Sequence, residues 1–154
     1  MAKILILNGP NLNMLGTRQP KIYGNTKLQD IEAACQALAS KLHIVVECAH
    51  SNHEGELVSL IQQASENHDG IILNAGGYSH TSIAIRDALA LFSGKIIEVH
   101  ISNIYNREEF RHISMLSAVS DGVIIGLGEN SYTLAIRALA ELILSLIHIS
   151  EPTR

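Results

Sequence analysis

Aromatic residues are scarce in this chain of 154 residues: they account for 4% of the positions, and tryptophan is absent. The core must therefore consist of Ile, Leu, Val and Ala, which suits a sheet covered by helices. Charged residues are also few, at 17% against 47% hydrophobic residues. Because so little charge is available for the surface, we expect some apolar surface to be buried between subunits. The length fits one domain with a substantial core.

A net positive charge, long apolar runs and paired cysteine motifs are also lacking. The formal net charge of −4 provides no basic surface for nucleic acid. No apolar run reaches the roughly 18 residues of a transmembrane helix, and the apolar stretch near the N-terminus is too short for a signal peptide. Cys35 and Cys48 have no CxxC spacing and are expected to be free thiols in a reducing compartment. We therefore expect a cytoplasmic protein that binds neither nucleic acid nor membrane.

Short apolar runs rich in β-branched residues alternate with segments of helical periodicity. The runs cover residues 4–7, 44–46, 71–73, 96–99 and 123–125. The helical segments cover residues 28–42, 55–67, 82–92 and 132–147. Because the runs are continuously apolar, they predict strands buried on both faces, as in a parallel sheet. The predicted class is α/β, and a doubly wound sheet is its simplest form at this length.

Local signals predict how several elements begin and end. Thr26 with Gln29 three residues later predicts a capping box for the first helix. Residues 102–120 are polar and predict a short helix that crosses between the last two strands. Pro152 ends any helix that reaches it. We expect one domain over residues 1–147 and a tail, residues 148–154, that is disordered or foreign to the natural protein.

Polar residues collect after three of the predicted strands, at the carboxyl ends where open parallel sheets bind ligands. The first strand is followed by Asn8, Asn11 and Asn13. The third is followed by Asn74, Gly76, Gly77, Ser79 and His80. The fourth carries Glu98 and His100 and leads into Ser102 and Asn103. We therefore expect uncharged hydrogen-bonding groups and two histidines along one edge of the sheet.

Glu98 and His100 are two residues apart and therefore point to the same face of their strand. A carboxylate beside an imidazole orients the ring and favours its charged form, which suits a proton donor near neutral pH. The alternative is a buried polar pair in which each partner only satisfies the other. The position at the carboxyl end of a strand favours a catalytic role.

Other polar residues have competing interpretations. Tyr23 lies in a glycine-flanked loop five residues after Arg18, and a nearby cation would favour tyrosinate, a base. Arg107 and Arg111 are four residues apart and share one helical face. They could bind a ligand, or they could belong to a solvated charged surface. His50 and His53 have a spacing compatible with metal binding, but without a third ligand a turn is the simpler explanation.

The sequence blocks NGPNLNMLGTRQPKIYG, LNAGGYSHTSIAIRDA, EVHISNIYNREEFRHISMLS and GVIIGLG together resemble type II 3-dehydroquinate dehydratase, over residues 2–147. The resemblance implies a flavodoxin-like three-layer fold with a five-stranded parallel sheet. It also implies that water is eliminated from 3-dehydroquinate through an enolate to give 3-dehydroshikimate, in the shikimate pathway toward aromatic amino acids. Family members use no cofactor and no metal, and commonly form a homododecamer, a tetramer of trimers.

The resemblance assigns a role to each matching residue. Tyr23 would take the proton from C2, and Arg18 would hold Tyr23 as tyrosinate. Asn11 would help to stabilise the enolate through a bound water, and His100, oriented by Glu98, would protonate the departing hydroxyl. The implied substrate-binding residues are Asn74, His80, Ile101, Ser102, Arg111 and Asp87, the last reaching into a neighbouring subunit's site.

Two further points follow from the resemblance. The loop from residue 18 to residue 25 would close over the substrate as a lid, together with Arg107. The chain departs from the family pattern at Gln19, at Tyr105 and Asn106, and at Ile113 and Met115, and these changes spare the implied site residues. Competing hypotheses are a flavodoxin-like small-molecule binding module without catalysis and an unrelated lyase on the same scaffold.

Overall fold

The computed structural model describes residues 1–17 and 25–150, with side chains up to Ser145. Over these residues strands and helices alternate along the chain. The strands are β1 (Lys3–Asn8), β2 (Val45–His50), β3 (Gly70–Asn74), β4 (Lys95–His100) and β5 (Gly122–Ile125). The α-helices are α1 (Leu28–Leu42), α2 (Glu54–Asn67), α3 (Ile83–Leu91) and α4 (Asn130–Ser150).

The strands form one parallel sheet in the order β2-β1-β3-β4-β5. This order is the flavodoxin-like form of the doubly wound sheet, so the predicted fold is confirmed. The register places Asn8 beside both His50 and Asn74. The carboxyl ends of the inner strands therefore meet at one edge, as the pattern of polar residues predicted.

The core lies in two layers, one on each side of the sheet, and β1 contributes to both. Ile4 and Ile6 pack with α1 and α4, whereas Leu5 and Leu7 pack with α2 and α3. Removing one such aliphatic side chain from water contributes about 1.5–3 kcal/mol. Because a one-residue slip would exchange the two faces, this burial fixes the register of β1 and the position of the loop that follows it.

The starts of α1 and α3 are both capped by hydrogen bonds within the first turn. The capping box at Thr26 and Gln29 is wrong by one residue, because the cap is Lys27, whose backbone N–H donates to the Asp30 carboxylate at 3.0 Å. An acidic side chain three residues into a helix reaches back to the cap in this way. At the start of α3 the cap is Ser82, whose Oγ accepts the backbone N–H of Ile85 at 2.9 Å.

The predicted crossing helix between β4 and β5 is also wrong. The segment instead forms three short 3-10 turns, at Ile104–Asn106, Glu109–Arg111 and Ser117–Val119. Local side chains compete with helical hydrogen bonds here: Asn103 Oδ1 accepts from the Tyr105 N–H at 3.2 Å, and Ser114 Oγ from the Leu116 N–H at 3.0 Å. Such bonds offer the backbone an alternative to a continuous helix.

Cys35 lies on α1 and Cys48 on β2, and both are free, as predicted. Burial, aided by nearby acidic groups, raises the pKa of each thiol to about 12. No helix in the described part of the chain has both the length and the apolar character needed to cross a membrane. Helix α4 continues to Ser150, beyond the predicted end at residue 147.

Candidate active site

A cleft of about 130 Å³ opens at the carboxyl edge of the sheet. Its walls come from the loop after β1, the turn after β3 and the segment that follows β4. Seven of the predicted site residues line it: Asn11, Asn74, His80, His100, Ile101, Ser102 and Arg111. The structure thus brings together residues that are spread over a hundred positions of the sequence.

The other predicted site residues lie elsewhere. Glu98 is buried behind His100 rather than on the wall of the cleft. Asp87 is exposed on α3 and does not line the cleft of its own chain. Arg18 and Tyr23 lie outside the described residues.

Glu98 and His100 form a buried pair at the end of β4. The Nε2 atom of His100 lies 2.5 Å from Oε2 of Glu98, and the side chains are only 6% and 1% exposed. Burial alone would raise the pKa of the Glu98 carboxyl. Hydrogen bonds from His100, Ser117 and Ser114, with the charge of His100, outweigh burial and hold this pKa below its usual value. Glu98 is therefore a carboxylate at neutral pH.

The pairing decides which nitrogen of His100 faces the cleft. A carboxylate only accepts hydrogen bonds, so Nε2 of His100 carries a hydrogen and donates it to Glu98. The other nitrogen, Nδ1, is left for a ligand in the cleft. The backbone of His100 is held as well, because Ser131 Oγ donates to its carbonyl at 3.1 Å. His100 can thus present a proton to the cleft only as the imidazolium, with Glu98 as its counter-ion.

In His80 the other ring nitrogen carries the hydrogen. Its Nδ1 lies 2.8 Å from the carbonyl oxygen of Ile113, which can only accept, so Nδ1 carries the hydrogen and Nε2 presents a lone pair. Burial lowers the pKa of His80, and the charges of His100 and Arg111 lower it further, despite the favourable carbonyl of Ile113. His80 is therefore a neutral acceptor, suited to a hydroxyl group of a ligand.

Tyr132 supports the cleft from behind Asn74, and the sequence did not reveal it. It lies on α4 with no exposed surface, and its hydroxyl donates to Asn8 Oδ1 at 2.6 Å and accepts from Asn74 Nδ2 at 3.0 Å. Asn74 Oδ1 in turn accepts the backbone N–H of Gly76 at 3.1 Å. These bonds fix the orientation of the Asn74 amide and leave one of its N–H groups for a ligand. No local signal marks a partner 58 residues away.

Asn11 holds an unusual backbone conformation at the mouth of the cleft. Its φ is 71°, in the left-handed region, and its backbone N–H donates to Oδ1 of Asn52 at 2.9 Å. The loop beside it packs closely against the turn after β3. A Cβ on Gly9 would lie 2.6 Å from the Ala75 carbonyl oxygen, and Gly76, at φ 60°, would meet the Pro10 carbonyl at 2.9 Å. Glycine is required at both positions for these two loops to meet.

Both arginines of the 102–120 segment turn toward the cleft, so a solvated charged face is the wrong interpretation for them. The side chains of Arg107 and Arg111 are only 9% and 17% exposed, and both line the cleft. Arg107 Nη1 donates to Ser102 Oγ at 3.4 Å, and Arg111 Nε donates to Glu108 at 3.1 Å. They give the cleft the positive charge that an anionic ligand needs.

His50 and His53 lie at the end of β2 and in the turn that follows it. His50 ends β2, and His53 precedes α2 with its backbone N–H bonded to Ser51 Oγ at 3.0 Å, which is a turn. Among residues 1–17 and 25–150, no group of three or more His, Cys, Asp and Glu side chains could hold a metal ion.

Comparison with known proteins places the chain among enzymes. The family model for dehydroquinase class II matches residues 2–140. The 3-dehydroquinate dehydratase of Ruegeria pomeroyi is 51% identical over 140 residues, which cover 91% of this chain and 94% of the relative. That of Bartonella bacilliformis is 52% identical, with 90% and 87% covered. The crystal structure of type II dehydroquinase from Butyrivibrio crossotus matches with a TM-score of 0.88 at 50% identity, covering 90% of this chain and 97% of that one.

The match includes every described element that builds the cleft, from β1 through the first half of α4. The relatives are named for a catalysed dehydration, so the alternative of a binding module without catalysis gains no support. On these grounds, the chain belongs to the class II dehydroquinase family.

Proposed function

We propose that the cleft is the site at which this chain eliminates water from 3-dehydroquinate to give 3-dehydroshikimate. The chain is a hydro-lyase acting on a small molecule, in keeping with its family. One observation carries the assignment of the site: a buried imidazole paired with a carboxylate at 2.5 Å lies beside uncharged donors and two arginines. An elimination beside a ketone needs such an acid, together with a base and a group that stabilises the enolate.

Tyr23 is the base in this proposal and takes the proton from C2, leaving the enolate. A free tyrosine has a pKa of about 10 and is mostly neutral near pH 7, so the site must favour tyrosinate. Arg18, five residues before it, supplies a positive charge for this purpose. Closure of the loop of residues 18–25 over the substrate would exclude water and strengthen that interaction.

Asn11 stabilises the enolate through a bound water. Its left-handed backbone and its bond to Asn52 support this role, because a strained conformation that the surroundings hold in place is typical of functional sites. A fixed dipole needs no reorganisation when negative charge develops on the substrate oxygen.

His100 completes the elimination as the acid. Nδ1 donates its proton to the hydroxyl on the neighbouring carbon as the C–O bond breaks, and the electron pair of the enolate forms the new double bond. Water leaves, and His100 becomes neutral with its Nε2 hydrogen still bonded to Glu98. Glu98 is thus the residue that orients the acid and balances its charge before the transfer.

The remaining residues of the cleft hold the substrate. The carboxylate of the substrate rests on Ile101 and Ser102, chiefly through their backbone amides. Asn74, His80 and Arg111 bind the ring hydroxyls. Asn74 offers a spare N–H, His80 offers a lone pair on Nε2, and Arg111 offers its guanidinium.

The assembly and setting belong to the same proposal. Asp87 reaches the cleft of a neighbouring subunit, which its exposure on α3 permits. The enzyme is a homododecamer of four trimers in the cytoplasm, with one catalytic domain over residues 1–147. The large apolar side chains exposed on the single chain, among them Leu91 and Ile113, support burial between subunits.

A direct assay tests the function. Purified protein incubated with 3-dehydroquinate should develop the ultraviolet absorbance of a conjugated enone. Addition of borohydride during turnover should not inactivate the protein, because no lysine Schiff base forms. Folded protein without any enone signal would contradict the proposed function, and borohydride trapping of the substrate on a lysine would contradict the mechanism.

A further inference from the structure

Residues 113–117 contact one histidine of the cleft, His80, and the carboxylate partner of the other, Glu98. The carbonyl of Ile113 accepts from His80, and the hydroxyls of Ser114 and Ser117 donate to Glu98 at 2.8 and 2.6 Å. The segment is itself fixed at Met115, whose backbone N–H donates to the Ser79 carbonyl at 2.7 Å. One short stretch of chain therefore bonds to His80 directly and acts on His100 through Glu98.

The direction of the Ser114 hydrogen bond is determined by its neighbours. Its oxygen accepts the backbone N–H of Leu116 at 3.0 Å, so its own hydrogen is free to point at Glu98. The result is a continuous chain in which Leu116 donates to Ser114, Ser114 donates to Glu98, and Glu98 also accepts from His100. Hydrogen bonds in such a chain polarise and strengthen one another.

Both oxygens of Glu98 depend on these serines. Oε1 accepts from Ser117, and Oε2 accepts from Ser114 and from His100. The side chain is 1% exposed, so water cannot replace a lost donor easily. A buried carboxylate that loses its donors tends to take up a proton.

A protonated Glu98 would change what His100 can do. It would leave His100 as a neutral imidazole, and a neutral imidazole is a far weaker proton donor than an imidazolium. The serine hydroxyls therefore act on the reaction through Glu98 without touching the substrate.

We propose that Ser114 and Ser117 are positioning residues for the dehydration, which hold Glu98 as an oriented carboxylate so that His100 carries the transferable proton. The inference rests on the proposed role of His100 as the acid. It adds two residues that the family resemblance did not assign.

The surroundings of Glu98 contain few other groups that could replace the serines. The titratable groups that interact with Glu98 are His100 on β4 and His80 after β3. The neighbouring positions of β3 and β5 are Leu73 and Val123, which are apolar.

The test compares Ser114→Ala, Ser117→Ala and the double variant with Ser120→Ala. Ser120 lies in the same segment, but its hydroxyl donates to the Leu116 carbonyl at 2.9 Å and not to Glu98. We expect Ser114→Ala and Ser117→Ala each to lower kcat about tenfold, and the double variant to lower it about a hundredfold. The reason is that hydrogen bonds to buried charges are strong. KM should stay within about twofold of the wild-type value, since neither serine lines the cleft.

The pH profile separates positioning from general stabilisation. Activity requires ionised Glu98, so kcat is lost as pH falls through the pKa of this carboxyl. The acidic limb of the profile of kcat against pH should therefore move to higher pH in Ser114→Ala and Ser117→Ala, which each remove a hydrogen-bond donor to Glu98. Ser120→Ala should leave this limb in place. Ser114→Thr and Ser117→Thr retain a hydroxyl and should restore most of kcat.

Nitrogen-15 NMR of His100 in the free protein provides a readout that does not depend on turnover. The hydrogen on Nε2 that is bonded to Glu98 should shift in both alanine variants and stay unchanged in Ser120→Ala. Variants that fold but keep the wild-type acidic limb and imidazole signals would overturn the inference, even if kcat fell. If wild-type protein never turned over, the proposed function would be wrong, and the NMR comparison would still decide whether the serines control Glu98.

Discussion

The rings of His80 and His100 lie nearly parallel in the cleft, with their centroids 6.2 Å apart and an interplanar angle of 22°. One ring donates to a backbone carbonyl and the other to a buried carboxylate. The pKa of His80 is lowered by burial and by the adjacent charges, so His80 is neutral. The partner of His100 is instead Glu98, whose pKa is held below its usual value, so this partner is a carboxylate. Two identical side chains therefore have different chemistry because of their partners.

This difference predicts distinct kinetic effects for the two histidines. His100→Asn should lower kcat by about 10²- to 10⁴-fold, the usual contribution of a general acid. His80→Asn should act mainly through KM, because it removes an acceptor for the substrate. Steady-state kinetics measure both parameters. Equal losses of kcat in the two variants would contradict the division of roles.

Tyr23 is expected to be essential for turnover but not for binding. Tyr23→Phe removes the phenol oxygen that takes the C2 proton and keeps most of the ring. Turnover should fall to background, while a product or substrate analogue should bind within a few-fold of wild type. Tyr105→Phe, at a tyrosine that is exposed and does not line the cleft, is the matched control and should be fully active. An active Tyr23→Phe enzyme would remove Tyr23 as the base.

Tyr132 is expected to matter for both stability and substrate affinity. Tyr132→Phe leaves Asn8 without a donor and Asn74 without an acceptor in a buried site, which should cost about 1–3 kcal/mol in the free energy of unfolding. KM should rise, because the Asn74 amide is no longer held. Urea unfolding and kinetics measure the two effects. Tyr78→Phe, at a tyrosine only partly buried against the α2 and α3 layer, is the control.

The Glu98 carboxyl should also contribute a pH-dependent part of the stability. Its pKa in the folded protein lies below the ordinary glutamate value, because hydrogen bonds and the charge of His100 outweigh burial. The unfolded chain therefore binds the proton first as pH falls. This contribution is fully present above the unfolded pKa of about 4.3 and is lost as pH falls through the folded pKa.

Urea unfolding at a series of pH values measures this effect. Below about pH 5, the free energy of unfolding should fall less steeply in Glu98→Gln than in wild type. Glu56→Gln, at an exposed residue of α2, controls for the loss of one negative charge. Parallel curves for wild type and Glu98→Gln would show that Glu98 carries no such contribution.

Local patterns in the sequence predicted the fold and much of the cleft. Continuous apolar runs located the strands, because burial on both faces removes the polar alternation of a half-exposed strand. The spacing of Glu98 and His100 predicted their pairing, since residues two apart on a strand share a face. The position of strand ends then predicted which loops would meet.

Other features depend on contacts that no local pattern encodes. Ser114 and Ser117 meet Glu98 only because the segment after β4 folds into 3-10 turns, where the sequence favoured a helix. Tyr132 meets Asn8 across 124 positions, and Asn52 meets Asn11 across 41. These partners became visible only once the loops were placed in space.

The most direct test of the proposed mechanism is the rate of enone formation from 3-dehydroquinate by wild-type protein and by Glu98→Gln, measured together across pH. Wild-type protein should turn the substrate over clearly. In the variant, kcat should fall by at least about a hundredfold with little change in KM, because the acid loses its counter-ion. Absence of turnover in folded wild-type protein, or full activity in Glu98→Gln, would contradict the proposed mechanism.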